Sequence, residues 1–273
     1  MVSIATKIFT YKDYQLEYIV IGSGEKQVLA FHGFGRTAED YNALKSLKDK
    51  YTIYSFNLLH HGNSKFLTDK QVWTKADLKE LFEAFLHQHK IETVSFFAYS
   101  LGGKVALCLA ELLPKKVNEL FLMAPDGIKI NVWYNLVTKF WLTNVIYKHF
   151  IKNPKPVHYV ARFLKAIGLL DKRIYKFAYH QTNSKHKREM VYKTWMTFRE
   201  LNPDLTVVAK NINEQKITTH LFFGKYDRII SAEIAHRLTD KLNDNFQLHI
   251  LETGHDLVNE KLDEYIKDSL FVI

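Results

Sequence analysis

Three side chains in this sequence could together activate a hydroxyl group for attack on a carbonyl carbon. Ser100 lies in the segment AYSLG at residues 98–102, Asp227 lies three residues after Gly224, and His255 directly follows a glycine. A serine hydroxyl is a weak nucleophile until an imidazole removes its proton, and a carboxylate beside the imidazole orients it. Ser100, His255 and Asp227 are therefore the candidate nucleophile, general base and orienting acid.

A tight strand-to-helix turn is predicted at Ser100. The apolar run 93–98 predicts a strand leading into it, and the pattern of 104–113 predicts a helix leading away. Ala98 and Gly102 are small, as required where the backbone doubles back on itself. Such a turn presents the hydroxyl above a helix N-terminus, whose partial positive charge favours an oxyanion. The alternative is that Ser100 only caps the N-terminus of an ordinary helix.

Two backbone N–H groups are candidates for binding the negative charge that develops on the attacked carbonyl oxygen. One belongs to Phe34, in the glycine-containing loop 32–35 that follows the apolar run 28–31. The other belongs to Leu101, directly after the candidate nucleophile. His32, in the same loop as Phe34, is predicted to stabilise that loop by hydrogen bonding rather than to act as a base.

The elements that must position these groups alternate between strands and helices, which predicts a mostly parallel sheet with helices on both faces. In such a sheet the loops at the carboxyl ends of the strands meet in one crevice, so distant pieces of the sequence converge there. Gly22-Ser23-Gly24 predicts a hairpin turn after the strand 14–21. The predicted strands are 14–21, 28–31, 51–56, 93–98, 120–124, 217–223 and 246–251, and the predicted helices are 38–50, 74–90, 104–113, 232–242 and one beginning near Asn259.

Residues 127–205 break this alternation with helical periodicity and no strand candidate. We therefore predict an α/β core of residues 1–126 and 206–273, interrupted by a helical cap or lid between its sixth and seventh main strands. The charge follows the same division, since residues 127–205 carry 15 Lys and Arg against 4 Asp and Glu, whereas the remainder carries 23 against 25. All of the excess positive charge lies in the insertion.

The insertion has two interpretations. An apolar stripe at helical spacing comprises Trp133, Leu136, Val137, Phe140 and Trp141. In the first interpretation this stripe packs over the core as a lid, with the lysines in solvent. In the second it forms an apolar acyl pocket ringed by cations, suited to a fatty-acyl ester, an acyl thioester on an anionic carrier, or an anionic lipid surface.

Several function classes are disfavoured by what the sequence lacks. We find no secretory signal, no apolar run long enough to span a membrane, no metal-ligand constellation and no nucleic-acid recognition motif. The single cysteine, Cys108, is expected to be a small core residue of a helix, and it cannot form an intrachain disulfide. A cytoplasmic protein that needs neither metal nor cofactor is the expectation, with no nucleic-acid partner.

These motifs resemble the α/β-hydrolase superfamily over nearly the whole chain apart from the insertion. The order Ser100, Asp227, His255 and the elbow at residues 98–102 are similar to the family pattern, as are GKYDRII at 224–230 and NLLHHGNS at 57–64. Asn57 stands where the family usually has aspartate, and Ala98 replaces the first glycine of the elbow. The resemblance implies the α/β-hydrolase fold, with an eight-stranded, mostly parallel sheet, and two-step acyl transfer from an apolar ester or thioester.

Alternatives remain for the acid and for the function. Asp126 directly follows the sixth strand, where some family members carry their acid, although Asp227 is the preferred candidate. The same three groups could serve hydrolysis of a carbon–carbon bond. The scaffold could also belong to a ligand-binding or signalling protein that turns over slowly or not at all.

Overall fold

The computed structural model describes residues 5–129, 134, 138 and 141–270. The chain divides into two units, residues 1–129 with 201–273 and residues 130–200, which we call the core unit and the helical unit. The bounds predicted from the sequence, 126/127 and 205/206, differ from this division by a few residues at each junction. The residues nearest Asp204 thus belong to the core unit rather than to the insertion.

Nine strands of the described residues form one sheet in the core unit, in the order β1-β2-β4-β3-β6-β7-β8-β9, with β5 paired to β2. The pairs β1–β2, β2–β4 and β2–β5 are antiparallel, and every pair from β4 to β9 is parallel. The mostly parallel sheet is therefore confirmed. The strands are β1 Lys7–Tyr11, β2 Tyr14–Ile21, β3 Lys26–Phe31, β4 Tyr51–Phe56, β5 Lys65–Phe66, β6 Val94–Tyr99, β7 Val117–Met123, β8 Thr218–Gly224 and β9 Phe246–Leu251.

The helices of the core unit cover the sheet, and those of the helical unit follow β7 in the chain. Because β7 is the sixth strand of the eight on the main path and β8 the seventh, the insertion occurs at the predicted place. The helices are α1 Lys75–Gln88, α2 Leu101–Leu112, α3 Trp141–Lys152, α4 Lys155–Ala166, α5 Lys172–Thr182, α6 Lys185–Phe198, α7 Leu205–Gln215, α8 His236–Thr239 and α9 Glu260–Leu270.

The centre of the core unit is the contact between β6 and α2. All six residues of β6 are buried, as expected for a parallel strand covered on both faces. In α2 every residue from Leu101 to Ala110 is buried, including Lys104 and Cys108, so this helix is buried on all sides rather than on one. Burial raises the pKa of the Cys108 thiol to about 12, which agrees with an inert core residue.

The predicted hairpin after β2 is wrong. The strand pairs with β4 and not with β3, and the antiparallel hairpin joins β1 to β2 instead. Gly22 has a φ of 77°, and a Cβ there would collide with the carbonyl oxygen of Tyr51. The glycines are therefore required because this loop passes against the segment leading into β4, which periodicity along the chain does not reveal.

Two predicted helices are shorter and more irregular than expected. In place of a helix over 38–50, the chain forms 3-10 turns at Ala38–Ala43 and Lys45–Leu47. The hydroxyl of Tyr41 donates to the Phe31 carbonyl oxygen over 2.9 Å, which ties the turn to β3. The predicted helix 232–242 is likewise a 3-10 turn at Ala232–Ala235 followed by the short α8. Tertiary hydrogen bonds outweigh local helical propensity here.

In the helical unit, Arg188 is buried and joins three helices. Its Nε donates to the Ile151 carbonyl oxygen at 3.0 Å and its Nη1 to that of Thr182 at 2.8 Å. The predicted stripe on Trp133, Leu136, Val137, Phe140 and Trp141 lies outside the described side chains. Over the part of the chain that is described, no helix is both long and apolar enough to cross a membrane.

Candidate active site

Ser100 occupies the turn between β6 and α2 in a conformation that few L-residues adopt. Its φ is 49° and its ψ is −115°, and its side chain makes no capping hydrogen bond to α2. Such backbone strain costs on the order of 1–3 kcal/mol and persists only where the surroundings enforce it. The Ser100 N–H donates to the Met123 carbonyl oxygen at 3.0 Å, and the Ser100 carbonyl oxygen accepts from Gly103 and Asp126, each at 2.8 Å. The turn is a strained elbow, not an ordinary N-cap.

The small residues of the motif are required by close packing. A Cβ at Gly102 would collide with the Phe31 carbonyl group of β3, and a Cβ at Gly103 would collide with Pro125 after β7. Ala98 is fully buried in β6. These contacts let α2 begin directly against the ends of two strands.

The structure brings the three candidate catalytic residues together. Nε2 of His255 lies 3.1 Å from Oγ of Ser100, and its Nδ1 lies 2.7 Å from Oδ2 of Asp227. The Asp227 side chain is fully buried, and its Oδ1 accepts from the N–H groups of Ile229 at 2.7 Å and Ile230 at 3.0 Å. With Nδ1–H donating to the carboxylate, Nε2 has its lone pair directed at the serine hydroxyl.

The loops that carry the acid and the base are joined through their backbones. A Cβ at Gly224 would collide with the Gly254 carbonyl oxygen, so the two loops touch there without side chains. The Tyr226 N–H donates to the Thr253 carbonyl oxygen at 2.9 Å. The Tyr99 hydroxyl donates to the His255 carbonyl oxygen at 2.8 Å, which links the elbow to the same loop. Backbone contacts therefore hold the acid and histidine loops together, and the Tyr99 hydroxyl holds the histidine loop to the elbow.

Both predicted oxyanion donors lie on segments that adjoin Ser100. Leu101 is the first residue of α2, where backbone N–H groups have no acceptor within the helix. Phe34 directly follows Gly33, and a Cβ at Gly33 would lie 3.1 Å from Cβ of Ser100. The loop after β3 thus passes directly beside the candidate nucleophile.

Two buried histidines support this loop, and only one of them was predicted to do so. His32 bonds through Nδ1 to the Gly33 carbonyl oxygen at 2.7 Å, and its Nε2 accepts from the Leu58 N–H at 3.0 Å, as its predicted stabilising role requires. Nε2 of His61 accepts from the Gly35 N–H at 3.0 Å. Burial lowers the pKa of both rings, that of His61 to about 4, so both stay neutral acceptors at pH 7.

The departure from the family pattern at Asn57 is matched by a buried carboxylate on β2. Nδ2 of Asn57 donates to Oε2 of Glu17 at 2.6 Å, and its Oδ1 accepts from the Ala38 N–H at 2.8 Å. Glu17 also accepts from the backbone and side chain of Asn63, at 2.9 and 2.6 Å. The neighbouring strand β2 thus supplies a carboxylate beside Asn57. Glu17 could not be identified from the sequence, because nothing in its local pattern distinguishes it from a surface residue.

Arg36 joins the loop after β3 to the histidine loop. Its Nε lies 2.6 Å from Oδ2 of Asp40, and its Nη2 lies 2.9 Å from Oδ1 of Asp256, the residue after His255. Its backbone N–H donates to the Gly33 carbonyl oxygen at 3.2 Å. One cation therefore bridges the segments that hold the candidate oxyanion donor and the candidate base.

Asp126, the alternative candidate for the acid, has a different hydrogen-bond partner. Oδ1 of Asp126 accepts from the adjacent Gly127 N–H at 2.8 Å, and it is Asp227 that meets the imidazole. Among the residues described, no group of three or more His, Cys, Asp or Glu side chains is placed to hold a metal ion. The chemistry available here is that of a hydroxyl, an imidazole and a carboxylate in series.

Known proteins similar to this chain share its fold. A family model described as alpha/beta hydrolase fold matches residues 26–262. "Putative esterase/lipase 2" of Mycoplasma genitalium is 26% identical over 216 residues, covering 75% of this chain and 79% of its own. The 2-hydroxy-6-oxo-6-(2'-aminophenyl)hexa-2,4-dienoic acid hydrolase of Metapseudomonas resinovorans is 22% identical over 265 residues, covering 94% and 86%. A thermophilic esterase structure from Thermogutta terrifontis has a TM-score of 0.68 at 16% identity, covering 97% and 98%, which is a likeness of fold alone.

Proposed function

The chain belongs to the α/β-hydrolase fold family, and we propose that it is a serine hydrolase cleaving a carboxylic ester or thioester of an apolar acyl group. The observation that carries this proposal is the unbroken series of contacts from Asp227 through His255 to Ser100, 2.7 and 3.1 Å long. These are the distances at which a general base takes the proton of a nucleophile. The relative from Mycoplasma genitalium, named as an esterase/lipase, supports an apolar ester as substrate.

In the first step Nε2 of His255 takes the proton of Ser100 as Oγ bonds to the carbonyl carbon. The N–H groups of Phe34 and Leu101 donate to the resulting oxyanion, and Asp227 stabilises the imidazolium. The imidazolium returns its proton to the alcohol or thiol as the bond to that leaving group breaks. Water then enters, loses a proton to His255 and attacks the acyl carbon. The bond between that carbon and Oγ breaks, the carboxylic acid leaves, and Ser100 takes the proton back from His255. The reaction consumes water and needs no cofactor.

Intact-protein mass spectrometry after treatment with a fluorophosphonate tests the proposal. We expect one adduct per chain in the wild type and none in Ser100→Ala. Wild type that labels is then given p-nitrophenyl esters and acyl thioesters of graded chain length. A folded wild type that stays unlabelled, or a Ser100→Ala variant with unchanged turnover, would contradict the assignment and favour a binding or signalling protein on this scaffold.

Hydrolysis of a carbon–carbon bond is the second candidate. It is favoured by the relative from Metapseudomonas resinovorans, which is named for a dienoic acid substrate and aligns over 94% of this chain. The same three residues would serve, because that chemistry also ends in attack on a carbonyl group. Turnover of a 2-hydroxy-6-oxo-dienoic acid that exceeds turnover of every ester would decide for it. In either case we place the protein in the cytoplasm, a location supported by its single, buried cysteine.

A further inference from the structure

Helices α4 and α5 are unusual because neither contains a buried residue. They comprise 12 and 11 residues, and a helix of that length in a globular protein ordinarily buries one face. Between them they carry many apolar and aromatic side chains. An apolar helix face that the described residues do not cover indicates a surface that binds something else.

Three exposed apolar side chains of α4, and that of Ile167 directly after it, lie on one side of the helix, whereas the exposed Val157 lies about 60° beyond them. Tyr159, Val160, Phe163 and Ile167 follow one another at spacings that place them within an arc of about 100°. Leu169, in the turn after the helix, is exposed as well. We call these five residues the apolar arc; they are exposed by 64%, 59%, 62%, 51% and 75%, respectively.

The opposite side of α4 contacts α5, which fixes the arc on the outside of the pair. The His158 ring lies 5.1 Å from that of Tyr179, and the Lys165 ammonium group lies 4.5 Å from the centre of the Tyr175 ring. Nε2 of His158 also lies 3.3 Å from the Thr182 hydroxyl. The arc is therefore not the contact face between the two helices.

The charge around the arc has one sign. Neither α4 nor α5 contains an aspartate or glutamate, and Asp171 between them accepts from the first N–H groups of α5. By helical geometry Arg162 and Lys155 lie within about 60° of Tyr159 on the side away from Val160. The cations of the two helices are Lys155, Arg162, Lys165, Lys172, Arg173 and Lys176.

We propose that α4 and α5 bind the surface of an anionic phospholipid bilayer, with the apolar arc at the acyl boundary and the cations at the headgroups. Apolar side chains on one arc with lysine and arginine beside them are the pattern of interfacial helices. A second copy of the chain would bring another cationic surface to the same place. An acidic protein would neutralise the cations, but it gives no reason for five exposed apolar groups. This inference goes beyond the proposed function and does not depend on Ser100.

Sedimentation with vesicles tests it with the full-length protein. We expect the wild type to bind vesicles of phosphatidylcholine with about 30% phosphatidylglycerol and to bind pure phosphatidylcholine much more weakly. The double variants Phe163→Ser/Leu169→Ser and Lys155→Glu/Arg162→Glu should each lower the partition constant for anionic vesicles by about tenfold or more. The charge variant should also reduce the loss of binding on adding salt.

Matched controls come from the core unit. Leu67→Ser/Val207→Ser removes two apolar groups that are also exposed, and Lys241→Glu/Lys267→Glu reverses two exposed charges. Both should bind as wild type does, and far-UV circular dichroism should be the same for all five proteins. Equal binding by arc variants and controls, or no vesicle binding by the wild type, overturns the proposal. The proposal is also overturned if the wild type does not bind vesicles but forms, through the apolar arc, a dimer or a complex with an acidic carrier protein. Fluorophosphonate labelling is read independently, so failure here is separate from failure of the hydrolase assignment.

Discussion

Tyr99 donates its hydroxyl hydrogen to the carbonyl oxygen of His255 over 2.8 Å, so the residue before the candidate nucleophile holds the loop of the candidate base. The two rings also lie 5.3 Å apart. The distance between Nε2 of His255 and Oγ of Ser100 thus depends on a contact made by the elbow itself. No local pattern in the sequence points to this role of Tyr99.

Removal of this hydroxyl should reduce turnover more than stability. In Tyr99→Phe the histidine loop loses one anchor worth about 1 kcal/mol, and kcat for an ester substrate should fall about fivefold to tenfold because the imidazole is less well placed. Steady-state kinetics alongside thermal unfolding would measure both effects. Tyr51→Phe is the matched control, since that hydroxyl bonds to Glu119 near the amino ends of β4 and β7, and its loss should leave kcat unchanged. An equal loss of kcat in both variants would contradict a positioning role for Tyr99.

The activities of Asp227→Asn and Asp126→Asn should show which of the two candidates is the acid. Asp227→Asn should lower kcat by about ten-thousand-fold, because an amide in place of the buried carboxylate favours the wrong tautomer of His255. Asp126→Asn keeps an oxygen that accepts from Gly127 and should retain nearly full activity. Single-turnover hydrolysis of a p-nitrophenyl ester is sensitive enough to compare them. A larger loss in Asp126→Asn than in Asp227→Asn would reverse the assignment.

The fold and the position of the candidate site follow largely from local patterns. Ser100, Asp227 and His255 each come shortly after an apolar run and within three residues of a glycine, and a parallel sheet brings such loops to one edge. Their catalytic role stays a prediction, whereas the mostly parallel sheet and its insertion point are confirmed.

The supporting residues could not be predicted in this way, because each acts through a partner far along the chain. Glu17 pairs with Asn57 across 40 residues, and Tyr99 with His255 across 156. The pairing of β2 with β4 was missed for the same reason, since glycines after β2 suit a hairpin and a crossover equally. Local periodicity reports which face is buried but not which distant group lies against it.

Restoring the family residue at position 57 should destabilise this chain. Asn57→Asp would place a second carboxylate 2.6 Å from that of Glu17, and the free energy of unfolding should fall by about 2–3 kcal/mol at pH 7. Glu17→Gln in the same chain removes the repulsion and should recover about half of the loss, because the new amide can donate to the carboxylate introduced at position 57. Urea unfolding of the four chains of this double-mutant cycle gives the coupling energy. Additive effects of the two substitutions would contradict a direct Glu17–Asn57 interaction.

Mild acid should destabilise the edge of the sheet through His249. Its Nδ1 lies 3.0 Å from the Tyr265 hydroxyl and its Nε2 3.5 Å from Nδ1 of His220. Burial and the neighbouring His220 lower the pKa of His249 to about 4, below the value of about 6.5 in an unfolded chain. The unfolded state therefore binds more protons between these values. The stability that His249 contributes is complete above pH 6.5 and is lost as the pH falls through 4.

This loss should amount to about 2 kcal/mol for the one ring. Urea unfolding between pH 7.5 and 4.5 measures it, and His249→Gln should make the curve flatter over that range. His87→Gln replaces an exposed histidine of α1 and should leave the slope as in the wild type. A wild-type slope that persists in His249→Gln would assign the acid sensitivity to other groups.

Because Ser100 has a positive φ, the residue that would best stabilise the fold at this position differs from the residue that supplies a reactive hydroxyl. Because glycine adopts a φ of 49° without a steric penalty, a Ser100→Gly chain should unfold at a higher temperature than the wild type while losing its only candidate nucleophile at the elbow. A population selected for thermal resistance alone would drift toward that glycine. A serine kept there, at a cost to the folded state, is what selection for a reactive hydroxyl would maintain.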